Sequence, residues 1–427
     1  MTGAVLIGLF LLTLVAGVPL AVGLGVASVA VLALAGFDQL AVPTNIYAGI
    51  AKYPLLAIPM FILAGMIFER SGVALRLVRF VTAIVGEWTG SLAVVAVLVS
   101  MLLGGISGSG PADAAAVAAV MLPSMVKRGY PKGFAAGLIA ASGSTAIIIP
   151  PSVAFIVYSV MVPAATVPAL FAAGLFPGII AALCLLVPAV VISRRYGFGR
   201  EYREPRPPLG QSLIDAIWGL LAPVIILGGL RTGIFTPTEA AVVAVAYGIF
   251  VGMVVYRSIG VRDLFRLLVD AGELSAVVMM IIGIASVFAW AGNTLGIFDA
   301  AAKALVDMHP GQWGMLLSVN LLLLVAGMFL DAISIFLILL PLLVPIAIAM
   351  GWDLVWFGVM MTINLAIGQF TPPMAIALMI TSRIAGIGME ETFRWVIWLV
   401  LAMGAGLALM VVLPELALWL PGRLGYL

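Results

Sequence analysis

Runs of about 20 apolar residues, the length a helix needs to cross a bilayer, recur from one end of this 427-residue chain to the other. They begin at once. "MTGAVLIGLFLLTLVAGVPLAVGLG" has no basic leader and continues into more apolar sequence, so it reads as a retained first helix and not a cleaved signal. The pattern predicts an all-α, polytopic membrane protein. Its interruptions carry the information. "LLGGISGSGPADAAAV", residues 102–117, puts four glycines, two serines, a proline and an aspartate where a spanning helix is expected. Similar breaks follow at "ASGSTAIIIPPS" (141–152), "GMFLDAIS" (327–334) and "NLAIGQFTPP" (364–373). The most polar stretch, "SRRYGFGREYREPRPPLGQS" (193–212), reads as a cytoplasmic linker between two halves, 1–192 and 213–427.

The halves repeat each other. Pro150-Pro151 and Pro372-Pro373 lie 222 residues apart, and the same offset pairs Gly105 with Gly327, Pro123 with Pro345, Gly129 with Gly351 and Tyr130 with Trp352. No gap is needed, which marks an internal duplication. Sixteen of the 20 Lys and Arg fall into clusters: Arg70, Arg76 and Arg79; Lys127, Arg128 and Lys132; five arginines of the linker; Arg257, Arg262 and Arg266; and Arg383 with Arg394. Placing all of these on the cytoplasmic side makes segments 95–127 and 316–350 re-entrant hairpins that enter from opposite faces. Broken helices follow them at about 133–160 and 356–382. The first hairpin is followed by basic "KRGYPK" and the second by acidic "MGWDL", so the repeats are inverted. Inverted repeats with interrupted helices are the pattern of secondary transporters. An ion channel could share them and stays open as an alternative.

Composition narrows the class further. The chain is 64% hydrophobic and 9% charged, with mean hydropathy +1.28, whereas soluble domains carry about 25% charged residues. A net charge of +2 without a basic, aromatic-interleaved stripe excludes nucleic acid. The single cysteine, Cys184, sits in an apolar run and offers no disulfide framework.

The four breaks hold the candidate chemistry. Proline removes a backbone hydrogen bond and glycine permits non-helical angles. Carbonyls freed within a bilayer persist only if buried in protein or lining a polar cavity. Together with Ser, Thr, Asn and Asp oxygens they suit a small alkali cation, while half-helix N-termini suit an anion. Asp331, in "LLLLVAGMFLDAISIFLILLPLLVP", is the sharpest residue, since an intramembrane carboxylate is a functional candidate by default. It matches Ser109 at the repeat offset, and its structural alternative is a protonated or helix-capping aspartate. Asp113 reads equally as a cap or a functional group, and Glu239, after Thr236 and Thr238, as a cap. Gly104 and Gly108 have the spacing of a helix-packing pair. "GISG" fits an intramembrane serine protease, but the only histidine, His309, lies in a polar loop. Neither a metal motif nor a nucleotide loop is present in the sequence. The chain therefore reads as no enzyme, and its energy must come from an ion gradient. Hydroxyls and carbonyls outnumber titratable groups in the breaks, which favours Na⁺ over H⁺.

"GGISGSGPADAAAVAAVMLPSMVKRGYPKGFAAGLIAASGSTAIIIPPS" (104–152), "GMFLDAISIFLILLPLLVPIAIAMGWD" and "NLAIGQFTPPMAIALMI" closely resemble the large (M, DctM-like) membrane subunit of tripartite ATP-independent periplasmic (TRAP) transporters. More remotely the chain looks like the ion transporter superfamily that includes divalent anion–sodium symporters. The resemblance implies an elevator, in which a transport domain holding both hairpins and both broken helices slides against a scaffold. It implies one sodium site at Ser107, Gly108, Ser109, Ser142, Gly143, Ser144 and Thr145. A second would use Gly327, Asp331, Ser334, Asn364, Gly368 and Thr371. Substrate would lie between the tips, near Ser109, Pro150, Pro151, Ser152, Asp331, Thr371, Pro372 and Pro373. Beyond membrane lipids, the implied partners are a separate four-helix membrane subunit and a periplasmic binding protein that delivers an organic acid. The implied location is the bacterial inner membrane. No cofactor or transition metal is implied, only Na⁺ as coupling ion. A self-sufficient divalent anion–sodium symporter, working without a binding protein, is the alternative.

Overall fold

The computed structural model describes residues 2–38, 40–200, 206–308 and 311–427; Arg203 of the linker and His309 lie outside the described residues. All regular structure among them is helical. In the first half, α1 (Thr2–Val15), α2 (Leu20–Leu34), α3 (Ala41–Ile50), α4 (Ala57–Arg70) and α5 (Val73–Val85) precede the first break. Next come α6 (Ser91–Ser107), α7 (Gly110–Lys127), α8 (Lys132–Ser144), α9 (Val153–Met161) and the long α10 (Val167–Tyr196). The second half runs through α11 (Leu209–Arg231), α12 (Pro237–Ile249), α13 (Val261–Thr294), α14 (Ile297–Met308) and α15 (Gln312–Gly327). It ends with α16 (Ala332–Ala349), α17 (Leu354–Gly368), α18 (Ile376–Ala385), α19 (Phe393–Val412) and α20 (Glu415–Leu424).

Local signals set these boundaries. Thr236 and Glu239 form a reciprocal capping box at the start of α12, so Glu239 caps as its sequence context predicts. Ser152 caps α9 and Thr166 caps α10, each accepting from a backbone N–H three residues on. Helices α7 and α16 start and stop at positions 222 residues apart, and both proline pairs are cis. Helix α10 extends past residue 193, which leaves only part of the 193–212 stretch outside helix. Among the described residues, seven helical stretches are long and apolar enough to cross a membrane.

Hydropathy alone does not say which apolar helices face lipid, because lipid tails are as apolar as Leu; small residues mark the packed ones instead. Helix α8, "KGFAAGLIAASGS", is buried from Gly133 to Ser144, and α17 from Val355 to Gly368. The two halves interleave around this pair. Helix α18 packs on α7 and α8, α9 packs on α16, and α10 and α19 flank α17. The Tyr158 hydroxyl of α9 donates to the Leu354 carbonyl at 2.7 Å, and its ring meets Phe336 edge-on. Helix α6 joins this group on α7, α8 and α10, α15 on α17 and α20 on α10, while a second group has α4 on α12, α2 and α3 on α13, and α5 on α11. Cys184 lies half-buried on α10 against Gly406 of α19.

Close approach of α7 and α8 requires glycine at 143, where an added Cβ would sit 2.7 Å from Ala114 Cα. Gly104 likewise faces Ala146, in keeping with a packing role. A single methyl group therefore separates two kinds of glycine. Gly143→Ala is expected to lower stability by about 1–3 kcal/mol. Gly228→Ala on α11, which meets nothing within 4 Å, leaves the melting temperature unchanged. A fluorescence-detected size-exclusion thermal scan of both variants checks the contrast.

Candidate functional site

The first break is a two-residue turn. Gly108 terminates α6 with φ +63°, its N–H donating to the Gly104 carbonyl at 3.0 Å, and Ser109 is extended. A Cβ on Gly108 would collide with the Pro151 carbonyl oxygen, so the tip is seated against the α8–α9 break. The Ser107 hydroxyl donates to Asp113 Oδ1 at 2.5 Å and accepts from the Ser109 N–H at 3.2 Å. Asp113 is 2% exposed, and its Oδ2 has no hydrogen-bond partner. It thus folds back onto the tip serine instead of capping the α7 backbone.

Between α8 and α9 the hydroxyl protons are committed locally. Ser144 donates to the Ala140 carbonyl at 2.8 Å, Thr145 to Ser142 at 2.7 Å and Ser152 to Ile147 at 2.6 Å. Ser142 pairs with Ser100 at 3.0 Å. A hydroxyl whose proton is engaged still has acceptor lone pairs, and these buried oxygens, beside a chain opened at Pro150-Pro151, form an acceptor-rich layer behind the first tip.

The second break is built on the same plan with different side chains. Asp331 caps α16, accepting from Ile333 N at 3.0 Å, Ser334 N at 3.3 Å and the Ser334 hydroxyl. Gly327 and Gly368 touch backbone to backbone. Ala375, at φ +35°, donates its N–H to the Met328 carbonyl at 3.1 Å, tying the α17–α18 break to this tip. Asn364 donates to both the carbonyl and side-chain oxygens of Asn320 at 2.9 Å, and its own Oδ1 is buried without a partner. The Thr371 hydroxyl donates to the Ile367 carbonyl at 2.6 Å.

The two tips meet at one cavity of about 250 Å³. Its wall includes Ser107, Gly108 and Ser109 of the first tip, Asp331 to Ile333 of the second, and Gln369 from the α17–α18 break. Helices α4 and α13 of the other group close it, through Glu69, Gly65, Leu274 and Val278. Of the expected site residues, Ser107, Gly108, Ser109 and Asp331 are therefore brought together. Ser142, Gly143, Ser144, Thr145, Ser334, Asn364 and Thr371 stand behind the wall. So do Pro150, Pro151 and Ser152, all buried, while Pro372 is half-buried and Pro373 exposed. Two polar cavity residues carry no clear signal in the sequence. Gln369 is 3% exposed with an unpartnered Oε1, and only its place inside a break hints at it. Glu69 follows an apolar helix next to Arg70 and reads as an ordinary interfacial charge. The wall carries two carboxylates and neither Lys nor Arg.

Residues 7–416 match the sequence profile of the tripartite ATP-independent periplasmic transporter, DctM component. The chain is 35% identical over 443 residues to the C4-dicarboxylate TRAP transporter large permease protein DctM of Rhodobacter capsulatus, covering all of both chains. It is 38% identical to the sialic acid TRAP transporter large permease protein SiaM of Vibrio cholerae, covering 88% of each. Among solved structures, the YdaH transporter of Alcanivorax borkumensis superposes with a TM-score of 0.63 over 88% of this chain and 89% of that one, at 14% identity, a likeness of fold. With its seven candidate spans, the chain is a multi-pass inner-membrane permease subunit and not an enzyme. It belongs to the DctM-component family of tripartite ATP-independent periplasmic transporters.

Proposed function

We propose that this chain carries an organic acid anion inward across the membrane in symport with Na⁺, working with a small four-helix membrane subunit and a periplasmic binding protein. One observation carries the reading. The cavity between the tips is walled by Glu69 and Asp331 with no basic side chain. A carboxylate substrate entering beside these two carboxylates meets like-charge repulsion, which bound cations would offset. The buried hydroxyl and amide oxygens behind each tip are the hard ligands that Na⁺ prefers. Substrates of the named relatives, a C4-dicarboxylate and a sialic acid, are carboxylic acids.

Length and grouping support the hairpins and the motion. Helices α6 and α15, with 17 and 16 residues, reach about 24–26 Å at 1.5 Å per residue, short of the roughly 30 Å hydrocarbon core. Each therefore dips in and turns back through its partner, α7 or α16, from opposite faces. Helices α6–α10 and α15–α19 form the body that slides against α1–α5 and α11–α14, and the cavity lies where the two groups meet.

Reconstituted with its two partners, the chain is expected to accumulate organic acid when an inward Na⁺ gradient is imposed; uptake that ignores Na⁺ and follows a proton gradient overturns the coupling. Transport without any binding protein would instead favour the self-sufficient symporter. Asp331→Asn keeps a good N-cap but deletes the charge. It should insert normally yet lose Na⁺-dependent uptake by about tenfold or more, since a contact to a charged group contributes about 1.5–3 kcal/mol. Unaltered Na⁺ dependence removes Asp331 from the ion site. The double variant Ser107→Ala/Ser109→Ala is expected to raise the Na⁺ concentration for half-maximal uptake, while Cys184→Ala leaves it in place.

A further inference from the structure

A second, larger concavity lies away from the tips, between the C-terminal end of α10 and the N-terminal end of α19. It encloses about 700 Å³, and its two ends differ in chemistry. At one end stand Arg195 and Arg394; eight residues further along each helix the wall is Val187 on α10 and Ala402 on α19, with Val191 and Trp398 between. Eight helical residues rise about 12 Å, so the groove leads from a cationic mouth down an apolar channel.

Both arginines are available. Arg194 lies over the Trp88 ring at 5.1 Å, whereas Arg195 points to the groove wall, and among the described residues neither Arg195 nor Arg394 forms an ion pair. Arg394 rests on Trp395, 4.5 Å from its ring, and Tyr196 meets Trp395 edge-on. Trp395 is 5% exposed and its Nε1–H has no acceptor. Aromatic rings of this amphipathic kind gather at the headgroup level of a bilayer. Helix α10, at 30 residues, spans about 45 Å and so extends beyond the roughly 30 Å hydrocarbon core, which sets Arg195 and Tyr196 among the headgroups. Val187, Val191 and Trp398 are each more than half exposed below them.

We propose that this groove binds an anionic phospholipid of the surrounding bilayer, its phosphodiester held between Arg195 and Arg394 and one acyl chain lying along Val187, Val191 and Ala402. Guanidinium groups bind phosphate oxygens through paired hydrogen bonds, and basic pockets between membrane helices recognise such headgroups. Because α10 and α19 both belong to the group that carries the hairpins, the lipid, on the sliding motion proposed above, rides with that body.

Native mass spectrometry of the detergent-purified, delipidated full chain, titrated with phosphatidylglycerol or phosphatidylcholine, tests the site. Wild-type protein should retain phosphatidylglycerol in preference to phosphatidylcholine, and Arg195→Gln/Arg394→Gln should weaken that retention by about tenfold or more. Arg266→Gln, which removes a positive charge elsewhere, should not. Equal retention by the double variant, an equal loss in the Arg266 variant, or no headgroup preference in the wild type overturns the proposal. So does displacement of the lipid by millimolar inorganic phosphate, which would mark a small-anion site.

Discussion

A bilayer offers an opened backbone no water to bind, so every interrupted helix must find its partners within the protein. That constraint organises this molecule. Four interruptions are packed into one region, each tip seated on the neighbouring broken helix. Gly108 lies against the Pro151 carbonyl in one half, and the Ala375 N–H reaches the Met328 carbonyl in the other. Burying α8 and α17 on all sides follows from the same need. The breaks lie at their C-terminal ends, and a lipid-facing helix there would leave the chain at Pro150 or Pro372 without cover.

Much of this was legible in the residues because proline and glycine have few meanings inside an apolar run. The 222-residue offset anticipated where helices α7 and α16 begin and end, and Thr236 with Glu239 announced its cap. What stayed hidden depended on tertiary packing. Apolar periodicity cannot separate a helix buried in protein from one buried in lipid, so the encasement of α8 did not show. Asp113 looked as much like a cap as a site residue, since four residues after Ser109 is first-turn territory; only the fold turns its carboxylate back to Ser107. Glu69 and Gln369 come from distant segments, and no local pattern brings them to the same cavity.

Asp331 shows how one side chain can cap a helix and line a cavity at once. Its carboxylate satisfies two N–H groups at the start of α16 while also facing the cavity. The same side chain thus closes the helix start and forms part of the cavity wall. In the other half Ser109 occupies the matched position without a side-chain cap bond, and the carboxylate appears instead four residues on, at Asp113. Each tip thus carries one acid, at positions that do not match at the 222-residue offset.

The interleaving of the halves has a consequence for how the protein is made. Chains are synthesised from the N-terminus, and early segments fold as they emerge. Helices α7 and α8 leave the ribosome long before α18, which covers them, and α9 must wait for α16. Until the last quarter of the chain is inserted, the faces of α7 and α8 that α18 covers have no permanent neighbour. Biogenesis of this subunit is therefore a holding problem. A ribosome that stops early releases a chain in which the faces of α7, α8 and α9 lack the helices that cover them in the finished fold.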